Sequence, residues 1–569
     1  MATSSGAHPR VQVPAERPGA ATRAGGRARA ALARGAPRFG WRAGLAVTAC
    51  AAFFLALSFT SHRYWDEYFY LYSALAHAPR DLIALEVESG LFPIGFFSGK
   101  IGHVVLLRLL LDTFGTGQRA LFAVQLCYAL MSLGFVAAGY AVYRQLLDAR
   151  RARRAALVLL FLPVTLYLGW KTLSEVPSLL LVTLASWAFL RSYRIGGAGG
   201  AAVGTSSRAA HLAAASIALA LGALCRLTAV VAFGGLLAAL LVAGDPRFRR
   251  AAVARRGALV GAGAFVLTTL GLWVVGGSDL SSVVLAWRVM TRPHPLERMY
   301  ALVFFLQAFI VVLAFVPLPP WRRGLRLPSA WLAVSALPFL AGHEPRYYAP
   351  ALLPLALLAS VGLRRLGSLV FGSRRSWGWA VVLGAVVVAD RLAFAPLMPY
   401  ELNQRELTGA VEPLVAAGPA ATPAATPAGT VLVPWTSDYG FLRIAFPRLN
   451  VVLCLSETND SDYHWRGRPG PMRPRDGAWA GPGRYAGSRA ELARLPGPWY
   501  YVGWTYNRPV LRARALLRRV GSHYLDDFSR RDLHSHLAGS WIWYDPALTL
   551  TPVARVGQYS VYRVTARAP

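Results

Sequence analysis

Apolar blocks of roughly 17–25 residues recur along this chain, a length that suits membrane-spanning helices. The breaks between them collect arginine: RQLLDARRARR at 144–154, DPRFRRAAVARR at 245–256, PPWRRGLR at 319–326 and RRLGSLVFGSRR at 364–375. A helix that crosses the hydrocarbon layer needs about 20 apolar residues, and short loops rich in arginine stay on the cytoplasmic side. Only 15% of the 569 residues are charged, against about a quarter in soluble domains. The pattern predicts a mainly α, polytopic membrane protein of about 11 transmembrane helices.

Threading the charges through that rule orders the chain. Residues 1–42, rich in Ala, Gly, Pro and Arg, read as a disordered basic cytoplasmic tail. The block at 43–60 reads as a retained first span, without a convincing cleavage site. A long outer loop, 61–118, follows; within it IGHVVLLRLLLDTFG (101–115) is too short to span and predicts an amphipathic interfacial helix. The run 212–243 is too long for one span. It keeps the five arginines of 245–256 inside only if it turns near CRLT (225–228), which puts Arg226 at the outer mouth of a hairpin. Residues 43–397 thus form a transmembrane domain. Residues 398–569 alternate short apolar runs (VLVPW, VVLCLS, WYYVGW, YSVYRV) with Gly- and Pro-rich segments, and predict a small outer-face α/β domain.

The net charge of +33 does not imply nucleic acid, because much of it sits in loops where topology requires it and no binding module accompanies it. The four cysteines show no paired spacing, and neither a Walker motif nor a dinucleotide GxGxxG is present. HEPRY (343–347) opens like a zinc HExxH, but Tyr347 stands where the second histidine belongs, so no metal site is expected.

Four polar clusters converge on the expected outer face. SHRYWDEYFYLY (61–72) sets Asp66 and Glu67 among aromatic rings, including Trp65 and Tyr68; KTLSEVPS carries Glu175; the hairpin carries Arg226; and HEPRYY carries His343, Glu344, Arg346 and Tyr347. Ionisable groups at a membrane bundle are costly and mark function. Of the two adjacent acids at most one serves as a general base, and Asp66 is the preferred choice. Arg226 and Arg346 have the planar fork that suits phosphate oxygens.

Taken together, the acidic pair in a long first outer loop, the juxtamembrane helix, the span number and the arginine before RYYAPALLPLALLAS resemble the GT-C superfamily of integral-membrane glycosyltransferases. HEPRYYAPALLP is similar to the His-Lys-Glu-x-Arg-Phe signature of the polyprenyl-phosphate-mannose-dependent mannosyltransferases. Glu344 and Arg346 match that signature, Tyr347 replaces Phe, and Gly342 and His343 stand at its His and Lys. The resemblance implies transfer of a sugar, mannose or another, from a polyprenyl-phosphate-linked donor to an envelope glycan, lipid or protein acceptor. The site would lie on the outer side of the plasma membrane, with inversion at the anomeric carbon and without cofactor or metal. It implies Asp66 (or Glu67) as base, Arg226, Arg346 and His343 at the donor phosphate, and Glu344, Tyr347, Glu175, Trp65 and Tyr68 against substrate. The rival readings are a lipid or sugar transporter or flippase, which would carry internal repeats, and a non-catalytic envelope assembly protein, indifferent to loss of Asp66.

Overall fold

The computed structural model describes residues 41–83, 97–194, 205–243, 247–277, 302, 305–317, 324–337, 345–373, 375–393, 402–416, 429–454, 479–480, 484–504 and 540–566. Two compact units divide the chain at Phe53/Phe54. In the first, the described part is the start of helix α1 (Trp41–Ser58); everything below concerns the second. The expected tail, apart from its last two residues, lies outside the described residues, as do His343 and Glu344.

The fold is mostly helical. Among the described residues, five stretches are long and apolar enough to cross a membrane, at Gln118–Leu146, Glu175–Tyr193, Ser207–Cys225, Arg250–Gly276 and Arg346–Phe371. They contain helices α4 (Gln118–Leu146), α7 (Glu175–Arg194), α8 (Thr205–Cys225), α10 (Arg250–Gly271) and α13 (Leu352–Phe371). Their outward faces keep large apolar side chains exposed, such as Phe122, Leu221, Phe265, Trp273 and Leu369, as lipid contact requires. Shorter apolar helices accompany them: α9 (Val230–Ala243), α11 (Phe309–Ala314), α12 (Arg326–Ser335) and α14 (Gly378–Ala393).

Two local breaks matter. Residues 149–168 are not one helix: Leu162 is extended (φ −62°, ψ 141°) and Pro163 begins a new turn. The ring of Pro163 removes one N–H, so α5 (Ala149–Phe161) ends and α6 (Pro163–Leu168) begins there. The second break falls at Arg226, whose extended backbone (φ −166°, ψ 112°) separates α8 from a 3-10 turn, Leu227–Ala229, that leads into α9. Along α10, Gly257 faces Leu237, Gly263 faces Ser216 and Gly271 faces Leu224. Helix α10 therefore runs with α8 and against α9, which is the hairpin that the arginine count demanded.

Between α1 and α4 lie a two-residue strand β1 (His62–Arg63), helix α2 (Trp65–Ala76) and helix α3 (Ile101–Phe114). Helix α3 buries Ile101, His103, Val104, Leu107 and Leu111 and leaves Leu109 and Phe114 exposed, the amphipathic helix expected there. Strand β1 pairs antiparallel with β2 (Leu402–Asn403), His62 opposite Asn403 and Arg63 opposite Leu402.

Beyond β2, helix α15 (Gln404–Ala416) precedes a five-stranded mixed sheet in the order β4-β3-β5-β7-β6. Its strands are β3 (Thr430–Val433), β4 (Asn450–Leu453), β5 (Trp499–Trp504), β6 (Leu548–Val556) and β7 (Tyr559–Ala566). β3 runs parallel to both β4 and β5, while β7 is antiparallel to β5 and β6. Leu432, Val452, Tyr501, Ile542 and Val564 build the core of this α/β region. Helix α16 (Thr436–Ala445), which follows β3, packs directly on α2.

Candidate active site

Helix α2 begins with the acid pair. Asp66 and Glu67 occupy its first turn, where a carboxylate is favoured by the exposed N–H groups and the helix dipole. One residue of helix turns the side chain by about 100°, so the two acids diverge, and their surroundings differ completely.

Glu67 is fully engaged. Oε1 accepts from the Tyr64 N–H (2.9 Å), and Oε2 accepts from the N–H (2.9 Å) and hydroxyl (3.2 Å) of Thr172. Arg63 and Lys171 flank it at 3.6 and 3.7 Å. Arg63 in turn donates to the Trp170 carbonyl and the side chain of Gln125, and Lys171 to the His62 carbonyl. Burial, with Lys171 and Arg63 close by, pulls the His62 imidazole down to about 4. Burial likewise lowers the Lys171 amine to about 8, although Glu67 opposes the shift.

Asp66 faces the other way. Its Oδ2 accepts from Arg346 Nη1 at 2.5 Å, while Oδ1, buried, has no hydrogen-bond partner among the described residues. Arg346 Nε lies 3.5 Å from Glu175 Oε1, and the same oxygen lies 3.2 Å from Arg226 Nη1. Arg226 is held further by Ser174 Oγ (3.2 Å) and Thr228 Oγ1 (3.0 Å). Two rings cover the guanidinium groups: Tyr64 lies 4.7 Å from that of Arg346, and Tyr347 lies 5.1 Å from that of Arg226. Residues from all four polar clusters, Asp66, Glu175, Arg226 and Arg346, thus meet in one buried network.

Lys100 joins them, a residue the sequence reading passed over. It sits at the end of the 3-10 turn Ser98–Lys100 ahead of α3 and donates to the Tyr70 hydroxyl. Burial lowers its amine to about 8, with Asp66, Arg226, Arg346 and Glu175 acting on it electrostatically. Burial also raises the Tyr70 phenol well above its ordinary range. One signal was available: the 60 basic residues include just two lysines, Lys100 and Lys171, the first half-buried near Asp66 and the second buried beside Glu67. Among the described residues, Lys100 thus joins Arg226 and Arg346 around the carboxylates of Asp66 and Glu175.

Other expectations fare differently. Tyr68, expected against a substrate, is completely buried. Its hydroxyl donates to Gln404 (2.9 Å) and its ring meets Phe441 edge-on at 5.0 Å; on the helix it lies on the flank that packs against α16. His343, Glu344 and the side chain of Trp65 lie outside the described residues. Among the described residues no group of three or more His, Cys, Asp or Glu is placed to hold a metal ion.

A helical membrane bundle whose first loop presents an acid to arginines from later loops, with a mixed α/β region after the last helix, defines a protein of the GT-C fold. Compared with solved structures, the chain is similar to ArnT from Cupriavidus metallidurans bound to undecaprenyl phosphate. The TM-score is 0.52 at 15% identity, covering 92% of this chain and 98% of that one. The apo state of ArnT matches over the same shares with a TM-score of 0.53. The archaeal oligosaccharyltransferase AglB from Archaeoglobus fulgidus, in complex with an inhibitory peptide and a dolichol-phosphate, aligns more loosely. Its TM-score is 0.44 at 13% identity, over 72% of this chain and 65% of that one. No family profile and no curated protein sequence matches the chain.

Proposed function

We propose that this chain is a membrane glycosyltransferase that takes a sugar from a polyprenyl-phosphate-linked donor and passes it to a hydroxyl of an envelope glycan, lipid or protein acceptor on the outer face of the plasma membrane. The observation that carries the reading is the buried Asp66 carboxylate, one oxygen without a hydrogen-bond partner among the described residues, set against the basic cluster of Arg346, Arg226 and Lys100. The GT-C fold and the undecaprenyl phosphate bound by ArnT support a lipid phosphate as the anion.

In this scheme the acceptor O–H gives its proton to Asp66 Oδ1 as the oxygen forms a bond to the anomeric carbon. The bond from that carbon to the phosphate oxygen breaks on the opposite side, inverting the centre. The departing lipid phosphate gains a negative charge, which Arg346, Arg226 and Lys100 stabilise in a buried setting. Bound phosphate would compete with Asp66 and Glu175 for the guanidinium groups, so the ion pairs described above are the resting partners of groups waiting for an anion. Glu67, with both oxygens occupied, braces the loop instead of moving protons. Glu344 and Arg346, which match the mannosyltransferase signature, keep mannose as one candidate sugar, while His343 stands where that signature has lysine.

The deciding measurement supplies the purified protein in membranes with a panel of polyprenyl-phosphate sugars and reads the products by mass spectrometry. Asp66→Asn should abolish transfer while undecaprenyl phosphate still binds. Unchanged transfer in that variant would remove the base, and absence of transfer with every donor, alongside lipid translocation, would favour a flippase.

A further inference from the structure

Resting on the reading above, we propose that Gln404, the first residue of α15, is a positioning residue that holds α2 in the one rotation that turns Asp66 towards Arg346. Helix α2 has 12 residues, too few to hold its own orientation by local forces alone. A turn of roughly one residue about its axis would exchange Asp66 for Glu67. Whatever fixes that rotation therefore selects which acid is the base.

Gln404 stands at the junction where this is decided. Its Oε1 accepts from Tyr68 Oη at 2.9 Å, from Gln125 Nε2 at 3.2 Å and from Arg63 Nε at 3.3 Å. Its own N–H donates to the Ser61 carbonyl at 2.9 Å, which extends the β1–β2 pairing just ahead of α2. One amide oxygen thus ties the residue before α2's cap, a residue on its first full turn, and a glutamine of the spanning helix α4. Tyr68, Gln125 and Arg63 are all buried. Without that oxygen the Tyr68 hydroxyl would lose the acceptor it donates to and Arg63 Nε its partner, and buried donors left unmade are costly. Gln404 touches neither Asp66 nor the basic network among the described contacts, so it acts through α2.

The experiment uses Gln404→Leu, which keeps the bulk and removes the acceptor, and Gln404→Glu, which keeps an acceptor oxygen for all three donors. Both are compared with Asp66→Asn in the full-length protein in detergent or nanodiscs. The expected result is a fall in kcat of about 10- to 100-fold for Gln404→Leu, the scale of a misplaced catalytic group. The donor KM and the affinity for undecaprenyl phosphate should stay within about twofold, and Gln404→Glu should restore most of kcat. Thermal unfolding of the same preparations reports how much protein is folded, and kcat is expressed per folded molecule. Wild-type kcat in folded Gln404→Leu, with Asp66→Asn inactive, would overturn the positioning role alone. Activity in Asp66→Asn would overturn the underlying reading instead. A loss shared equally by Gln404→Leu and Gln404→Glu would also refute the proposal, because the acceptor oxygen would then not be what matters.

Discussion

Asp66 and Arg346, 280 positions apart in sequence, meet at 2.5 Å with both side chains buried. Arg346 also reaches Glu175 through Nε, so its fork spans the two acids of the network. A lysine carries the charge but has no fork with which to contact both at once. Arg346→Lys should therefore behave more like Arg346→Ala than like the wild type, raising the donor KM at least tenfold in a steady-state assay. A lysine variant with the wild-type donor KM would show that charge alone suffices there.

Removing Glu67 should damage the fold more than the chemistry. Its carboxylate is the buried partner of Arg63 and Lys171 and accepts three hydrogen bonds. Stripping the acid from such a cluster costs about 3–5 kcal/mol, because the remaining charges stay buried and uncompensated. Glu67→Ala should thus lower the thermal midpoint and the yield of folded protein sharply. The folded fraction should retain far more turnover than Asp66→Asn. Equal loss of turnover per folded molecule in the two variants would restore Glu67 as a rival base.

A pH dependence follows from Lys100. Burial lowers its amine from the ordinary lysine range to about 8, so it is cationic below that pH and neutral above it. Affinity for undecaprenyl phosphate should weaken as the pH rises through about 8, and Lys100→Met should flatten that step. Stability moves in the opposite sense. Between about 8 and the unfolded lysine value near 10.4, the unfolded chain binds the proton that the folded chain has released. The folding free energy contributed by this group therefore increases with pH across that window. Loss of lipid binding with no loss of stability over the same range separates the two effects. A binding curve that is flat through pH 8 in the wild type would take Lys100 out of the anion site.

Much of this arrangement is legible from charge placement alone. Five arginines at 245–256 cannot lie on the far side of a membrane without breaking the loop rule, and that forced the turn at Arg226 which the backbone adopts. The amphipathic helix α3 follows from its length and from Arg108, which faces Asp112 on the same helix and donates to the last carbonyls of α2. The choice between Asp66 and Glu67 was not settled by local pattern, because it depends on partners far along the chain. Thr172 lies 105 positions from Glu67, and Gln404 lies 336 from Tyr68. The aromatic residues of SHRYWDEYFYLY have partners just as remote. Their neighbours are the distant Phe441 and Trp479, the latter stacked on Phe69 at 4.8 Å, and nothing in the local sequence announces that contact.

The closeness of α16 to α2 yields the last prediction. At Gly440 an added Cβ would lie 2.6 Å from the Tyr68 carbonyl oxygen and 3.1 Å from its carbonyl carbon. Both are backbone atoms that cannot swing aside, so the two helices must separate by some tenths of an ångström or more. Beside that contact Tyr72 meets Tyr439 at 3.2 Å between hydroxyls, and Trp479 donates to Ser73 Oγ at 2.9 Å. Gly440→Ala should loosen both, lower the thermal midpoint and reduce kcat, since Asp66 lies on the helix that is pushed. Gly384→Ala is the matched control, because a Cβ there meets nothing within 4 Å, and it should leave turnover and stability as they are. If Gly440→Ala folds and turns over like this control, α16 is not what presses α2 into place.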